Sequence, residues 1–322
     1  MHWLLLVLCL PLTAAAMQPF ESRALSAAEA HSPVGMHSPV GMHSPVGMHS
    51  PVGTHSPVGA QSLRDTTPDL VARGAGSHAP AGAQSLRDNA TLVIIIDDLG
   101  NRLIEGEATV SLPGRLSLAV LPHTTHSVHL AREAHRAGKE VLLHAPMSAL
   151  DQRPLGPGAL TVELSETEFR STLQQALAGV PHAVGVNNHM GSELTRQRKQ
   201  MQWLMTLLAE QNLYFVDSRT NKDTVAATVA AEAGLPHLSR QVFLDNVPTR
   251  EAIAERFAVL VARARRDGLG VAIGHPYPET IAYLQEVLPT LEAEGLQLAT
   301  VSEVLASAAR EAGAVPTVPP NL

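Results

Sequence analysis

The sequence predicts an α/β fold, a (β/α) barrel, complete or distorted, of seven or eight parallel strands preceded by a disordered N-terminal segment. Three observations carry this expectation. From Thr91 onward, apolar runs of strand length alternate with helical patterns, the order that builds βα units and a parallel sheet. Those runs are apolar without interruption, as strands covered on both faces are. Before that point the chain is a proline- and glycine-rich repeat with too little apolar surface to offset backbone ordering entropy. Seven or eight βα units in about 220 residues fit a barrel, and an open doubly wound sheet is the alternative.

The expected strands are 92–96, 116–121, 140–143, 183–187, 213–216, 240–244, 269–273 and 296–299. Between them, Ser165 and Glu168 form the spacing of a capping box, and Met201, Leu204, Met205 and Leu208 recur at helical intervals. Ile253, Phe257, Leu260 and Val261 do the same. Gly138, Gly179, Gly234, Gly268 and Gly295 each follow a helical run where a left-handed cap is wanted.

Ahead of the barrel, residues 1–16 carry an apolar run from Leu4 to Leu12 followed by Thr13 and three alanines, the layout of a secretory signal peptide. Export to the periplasm or the medium is the implication, although the basic n-region is missing. The run is too short to span a bilayer comfortably, so no stable membrane span remains after cleavage. Cys9 follows Leu8 where a lipoprotein signal needs a small residue, which argues against lipidation. It is the one cysteine in 322 residues, so the mature chain relies on packing rather than disulfides. Residues 31–58 repeat His-Ser-Pro-Val-Gly with a six-residue period, and Gly-Ala-Gln-Ser-Leu-Arg-Asp occurs at 59–65 and 82–88. The expected organisation is a leader at 1–16, a disordered tether at 17–88, a folded domain at 89–310 and a flexible tail at 311–322. Net charge of -7 with 3% aromatic residues argues against a nucleic-acid surface, which needs basic grooves and stacking rings.

The polar residues that look out of place all occur where an apolar strand ends. They are Asp97 and Asp98, His144, the trio Asn187, Asn188 and His189, Asp217, Asp245 and His275. In a parallel βα fold all those ends open onto one face, so they converge. Two adjacent carboxylates closing a buried Ile-Ile-Ile run repel each other unless a cation or proton compensates. Asp217 and Asp245 read equally well as turn formers or helix caps, and Asn188 as a ligand contact or a loop brace. His126, His129 and His135 read as a solvated helix face, with His123 alone of that group at a strand end.

Carboxylate plus imidazole without thiolate is a ligand set for zinc or a similar divalent ion, and a catalytic zinc keeps one of four positions open. Asp98, His144 and His189 supply three ligands. Such an ion polarises a carbonyl and acidifies water, while a carboxylate accepts a proton and an imidazole donates one. Asp97 and His275 fit those roles, and Tyr277 is the expected substrate contact.

Six segments in order, IIIDDLG (94–100), LLHAPM (142–147), GVNNHMGSELT (185–195), FVDSRT (215–220), VFLDN (242–246) and AIGHP (272–276), together resemble the divergent polysaccharide deacetylases. That family is related to the NodB-homology carbohydrate esterases, and the resemblance covers the whole folded region and none of the tether. It implies a NodB-like distorted barrel, an Asp-Asp motif giving a base at Asp97 and a metal ligand at Asp98, and a closing Leu-x-His motif to which Ile273-Gly274-His275 is similar. The esterases' metal motif has two histidines four residues apart. His144 matches the first, Ser148 stands at the second, and His189 is the expected replacement. The esterases' arginine-proline motif is absent, Asn187-Asn188-His189-Met190-Gly191 standing in its place.

The function expected is a metal-dependent hydrolase, with zinc as the cofactor, that removes acetyl groups from envelope polysaccharide or peptidoglycan fragments. The alternative is a non-catalytic envelope protein that binds glycan or a partner through the same cleft, a reading the missing second histidine favours. A third reading, an amide hydrolase outside carbohydrate chemistry, uses the same residues.

Overall fold

The computed structural model describes residues 90–151 and 153–313. The expected leader, the repeat tether and most of the expected tail lie outside the described residues. The chain runs β1 (Ala90–Leu99), α1 (Leu103–Val110), β2 (Ser117–Val120), α2 (Ser127–Arg136), β3 (Glu140–Met147), α3 (Glu166–Ala178) and β4 (Ala183–Met190). It continues through α4 (Arg198–Glu210), β5 (Tyr214–Asp217), α5 (Ala226–Glu232), β6 (His237–Ser239), β7 (Val242–Phe243) and α6 (Arg250–Asp267). β8 (Leu269–Gly274), α7 (Pro278–Val287), β9 (Leu296–Leu298) and α8 (Val301–Glu311) complete it.

All strand pairs are parallel, in the order β6-β5-β4-β3-β2-β1-β8-β7. β1 pairs with three strands. One edge pairs with β8 from Thr91 to Ile96; the other is shared, β9 lying along Ala90–Leu92 and β2 along Ile95–Leu99.

The expected sixth strand, 240–244, shrinks to β7, and β6 forms just upstream of it at 237–239. β6 ends on β5 and β7 begins on β8, so the run straddles the two ends of the strand row. Between them the Arg240 amide donates to the Asp217 carbonyl and the Gln241 amide to the Val271 carbonyl. The ring is therefore bridged by the chain itself rather than by a β6–β7 ladder, which is the distortion of this barrel. Chain continuity lets the two edges differ in position without losing their hydrogen bonds.

Strand alternation divides the apolar side chains into two layers. Val93, Ile95, Ala119, Leu142, Tyr214, Val216, Val271 and Ile273 pack inside the curved sheet, with Val301 of α8 among them. Ile94, Ile96, Leu118, Leu143, Val186 and Phe215 belong to the outer layer, with Leu130, Phe169, Leu204, Phe257 and Leu260 from the helices. Burying each of these large side chains contributes about 1.5–3 kcal/mol, which accounts for strands apolar on both faces. At the amino-terminal end the buried Glu140 carboxylate accepts from Ser117 Oγ at 2.6 Å and from the Val301 and Ser302 amides at 2.9 and 3.0 Å. That contact ties α8 to β3.

The helix signals hold except for one glycine. The Ser165–Glu168 capping box opens α3, Met201, Leu204, Met205 and Leu208 are buried on α4, and Gly138, Gly234, Gly268 and Gly295 have positive φ. Gly179 ends α3 in the right-handed region at φ -77°, and the left-handed residue of that connection is His182.

Candidate active site

The alternation that fills the barrel with aliphatic side chains continues past them at the carboxyl ends of the strands. Val93 and Ile95 point inward, so Asp97 does too; Leu142 is followed two residues on by His144. On β4 the inward set is Gly185, Asn187 and His189, Val186 lying in the outer layer. Asp98 would face outward in a regular strand. It instead adopts φ 60°, where the β1–β2 register shifts between Ile96 and Leu99, and this turn brings both carboxylates of the pair into the site.

Asp98 Oδ1 lies 3.1 Å from His144 Nε2 and 2.8 Å from His189 Nδ1, and those two nitrogens are 3.1 Å apart. Despite that proximity Oδ1, itself buried, accepts no hydrogen bond of regular geometry. The three residues form the group among the described residues that could hold a metal ion. Asp97 Oδ2 stands 3.6 Å from His144 Nε2, and Asp97 Oδ1 accepts from Asn187 Nδ2 at 2.7 Å. Asn187 Oδ1 meets His144 Nδ1 at 2.8 Å.

Across the site, His275 Nε2 faces Asp98 Oδ2 at 3.8 Å, and its Nδ1 is held by Asp245 Oδ1 at 2.9 Å. Asp245 Oδ2 accepts from the His275 amide at 2.6 Å and from Thr280 Oγ1 at 2.8 Å. Tyr277 and Phe243 flank the His275 ring with centroids at 5.5 and 5.2 Å, and Tyr277 is 41% exposed.

The electrostatics separate the two adjacent carboxylates. Burial raises the Asp97 pKa, with the charge of Asp98 adding to it against the pull of His144 and His275. Burial works the same way on Asp98, but the close His144 and His189 imidazoles outweigh it and hold that carboxyl well below its ordinary value. Burial opposes charge on His144, yet Asp97 and Asp98 overcome it and raise the imidazole to about 9. His275 is likewise raised: burial opposes, and Asp245, Asp97 and Asp98 prevail. One carboxylate is thus kept charged beside the imidazoles while its neighbour is a stronger base than an ordinary aspartate.

Of the residues expected from sequence, Asp97, Asp98, His144, Asn187, His189, Asp245, His275 and Tyr277 form this constellation. Asn188 and Asp217 do not join it. Asn188 Oδ1 accepts from the Ser218 amide and its Nδ2 donates to the Met190 carbonyl, bracing the loops after β4 and β5. Asp217 accepts from the Arg219 amide and from Thr224 Oγ1, as a turn former does. Both follow an outward-facing neighbour of the alternation, Val186 and Phe215. His123, His126, His129 and His135 stay outside the three-ligand group; His129 meets Glu107 and His135 stacks on His182. Ser148 is buried and also outside it, with no partner for its hydroxyl. Sequence reasoning missed Phe243 and Thr280. Phe243 reads as another apolar strand residue, and only the placement of Thr280 three residues beyond Tyr277, in the first turn of α7, marks it.

The family model described as divergent polysaccharide deacetylase matches residues 94–305. The chain belongs to that family. Two relatives of this deacetylase-family chain are uncharacterized proteins. YibQ of Escherichia coli K12 is 40% identical over 200 residues, covering 62% of this chain and 63% of YibQ. A protein of Haemophilus influenzae Rd is 37% identical over 207 residues, 64% of this chain and 74% of its own. The chain therefore spans somewhat less than two thirds of the length of YibQ. Among solved structures, the uncharacterized protein ATU2773 from Agrobacterium tumefaciens C58 superposes with a TM-score of 0.65 at 20% identity, over 67% of this chain and 89% of that one. It shares the fold described above. No helix among the described residues is long and apolar enough to cross a membrane.

Proposed function

We propose that this protein is a zinc-dependent hydrolase that removes acetyl groups from envelope polysaccharide or peptidoglycan fragments, working outside the cytoplasm, in the periplasm or after secretion. The observation that carries the reading is the triangle of Asp98 Oδ1, His144 Nε2 and His189 Nδ1, set between a buried carboxylate and a carboxylate-held imidazole.

The donor set fits a small divalent cation. Its edges of 2.8–3.1 Å are close to those of a tetrahedron with bonds of about 2.0–2.1 Å, near 3.3 Å, and a cation gives Asp98 Oδ1 the partner it lacks. One carboxylate and two imidazoles, from Asp98, His144 and His189, would hold zinc. A divalent ion there supplies Lewis acidity toward an acyl carbonyl and toward water.

The remaining steps belong to the chain. Asp97 Oδ2, the oxygen not occupied by Asn187, takes a proton as water adds to the acetyl carbon. His275 Nε2, held by Asp245 through Nδ1, gives a proton to the departing amine or alkoxide as the C–N or C–O bond breaks, and acetate leaves. Phe243 and Tyr277 offer apolar surface beside that histidine for a sugar face. Family membership supports a carbohydrate substrate, and the leader-like residues 1–16 support an envelope setting.

The test is elemental analysis and acetate release on the purified full chain and on His144→Ala and His189→Ala. About one equivalent of zinc, lost in both variants, with acetate released from N-acetylated oligosaccharide by the wild type alone, is the expected result. A folded wild type that takes up no zinc would overturn the reading and leave the glycan-binding protein in its place.

A further inference from the structure

We infer that Asn187 is a positioning residue joining two functions of the site: through one amide it fixes which nitrogen of His144 faces the metal ligands and which oxygen of Asp97 remains to receive a proton. This rests on the hydrolase reading above.

Asn187 is fully buried on β4, opposite His144 in the β3–β4 ladder, and its side chain spans the gap between Asp97 and His144. Its orientation follows from the partners. Asp97 as a base is ionised and can only accept hydrogen bonds, so the amide must turn its NH2 to Asp97 Oδ1, 2.7 Å away. The amide oxygen then necessarily faces His144 Nδ1 at 2.8 Å, and because that oxygen is only an acceptor, Nδ1 must carry the proton. In the neutral ring the lone pair is left on Nε2, the nitrogen that lies 3.1 Å from both Asp98 Oδ1 and His189 Nδ1. At the other end, Oδ1 of Asp97 is occupied and Oδ2 is the oxygen free to accept.

The side chain suited to this is narrow in choice. Aspartate can accept from His144 but has nothing to donate to Asp97, and it places a second negative charge beside it. Leucine has the same size and does neither. Glutamine is one methylene too long for a position with no exposed surface. The two substitutions with matched shape therefore separate the two duties.

The experiment uses the full chain, freed of metal by chelation, and follows cobalt uptake by its visible spectrum together with acetate release from N-acetylated oligosaccharide. Asn187→Asp is expected to hold cobalt within a few-fold of wild type, because a carboxylate still accepts from His144 Nδ1, while turnover falls by about 10²-fold or more as the general base loses its orientation. Asn187→Leu is expected to weaken cobalt binding about 10–100-fold and to lose turnover. Circular dichroism and thermal melting of the metal-free proteins establish that each is folded. Cobalt affinity unchanged in the Leu variant, or metal and turnover lost together in a folded Asp variant, would overturn the inference. If the Asp variant does not fold, the Leu variant decides: weakened cobalt binding at an unchanged metal-free melting temperature supports the inference, and unchanged binding sinks it. Wild type that takes up no cobalt fails the hydrolase reading itself, an outcome distinct from a wild type that binds and a Leu variant that binds equally.

Discussion

Asp97 and Asp98 are neighbours with opposite protonation behaviour, and the cause is which partners each carboxylate meets. Asp98 faces two imidazole nitrogens, whereas Asp97 is deeper and receives one neutral amide. His275 depends on a third carboxylate. Asp245 orients it through Nδ1 and favours its charged form, so the imidazolium persists to higher pH than in an isolated histidine. A proton donor must be protonated to act, and activity therefore falls as pH rises through its pKa. Replacing Asp245 by asparagine removes a charge that raises this pKa, so the alkaline limb of the pH–rate profile for acetate release is expected to move to lower pH, with a lower maximal rate. An unmoved limb in a folded D245N protein would remove His275 as the donor. The doublet, His144, His189 and His275 were legible from their place at strand ends. Asn188 and Asp217 occupy equally suggestive places and serve the loops, because one residue of register decides whether a side chain faces the site or the outer layer.

At the scale of elements, β4 supplies two residues of the site, as β1 does. It brings Asn187 and His189 inward, and it can do so at its amino-terminal half only because position 185 has no side chain. A Cβ on Gly185 would lie 2.2 Å from Cε2 of the fully buried Tyr214 ring on β5. Gly185→Ala is expected to cost about 1–3 kcal/mol by overpacking, read from the midpoint of urea unfolding, and Tyr214→Leu in the same chain should recover part of it. Equal stabilities for wild type and G185A would show that the ring has room to move. The strand itself was expected from its apolar run, but its continuation through Asn188, His189 and Met190 was not, since those residues are poor strand formers held there by the ladder to β3. That 237–243 forms two strands, β6 and β7, at opposite ends of the strand row was equally hidden. An apolar run does not say which of its two neighbours it pairs with.

For the whole molecule, the site closes the carboxyl end of the barrel while Glu140 and α8 tie down the other, so metal binding and folding are linked. In the metal-free protein His144 carries a proton at neutral pH, its pKa being raised to about 9. A metal must displace that proton. Binding at pH 7 is expected to release it, and affinity should fall by up to about tenfold for each unit below pH 9. Titration calorimetry in buffers of different ionisation enthalpy measures the released proton directly; none released would mean that His144 is not a ligand. Zinc at about 100 times its dissociation constant should also stabilise the fold by about 2.7 kcal/mol, reversed by a chelator and absent in His144→Ala, as thermal melting would register.

What the sequence determined by itself is local in origin: the count and parallel sense of most strands, the helix caps, and the set of polar residues at strand ends, all written in periodicities of two and of 3.6 residues. Its ordered motifs also carried the family. What only the tertiary structure decided is which of those strand-end residues meet. Asp98 enters the site through a backbone turn at φ 60°, Asn187 joins a carboxylate 90 positions away to a histidine 43 away, and Thr280 supports His275 through Asp245. Such contacts depend on register and curvature summed over several strands, and no short stretch of sequence contains that sum.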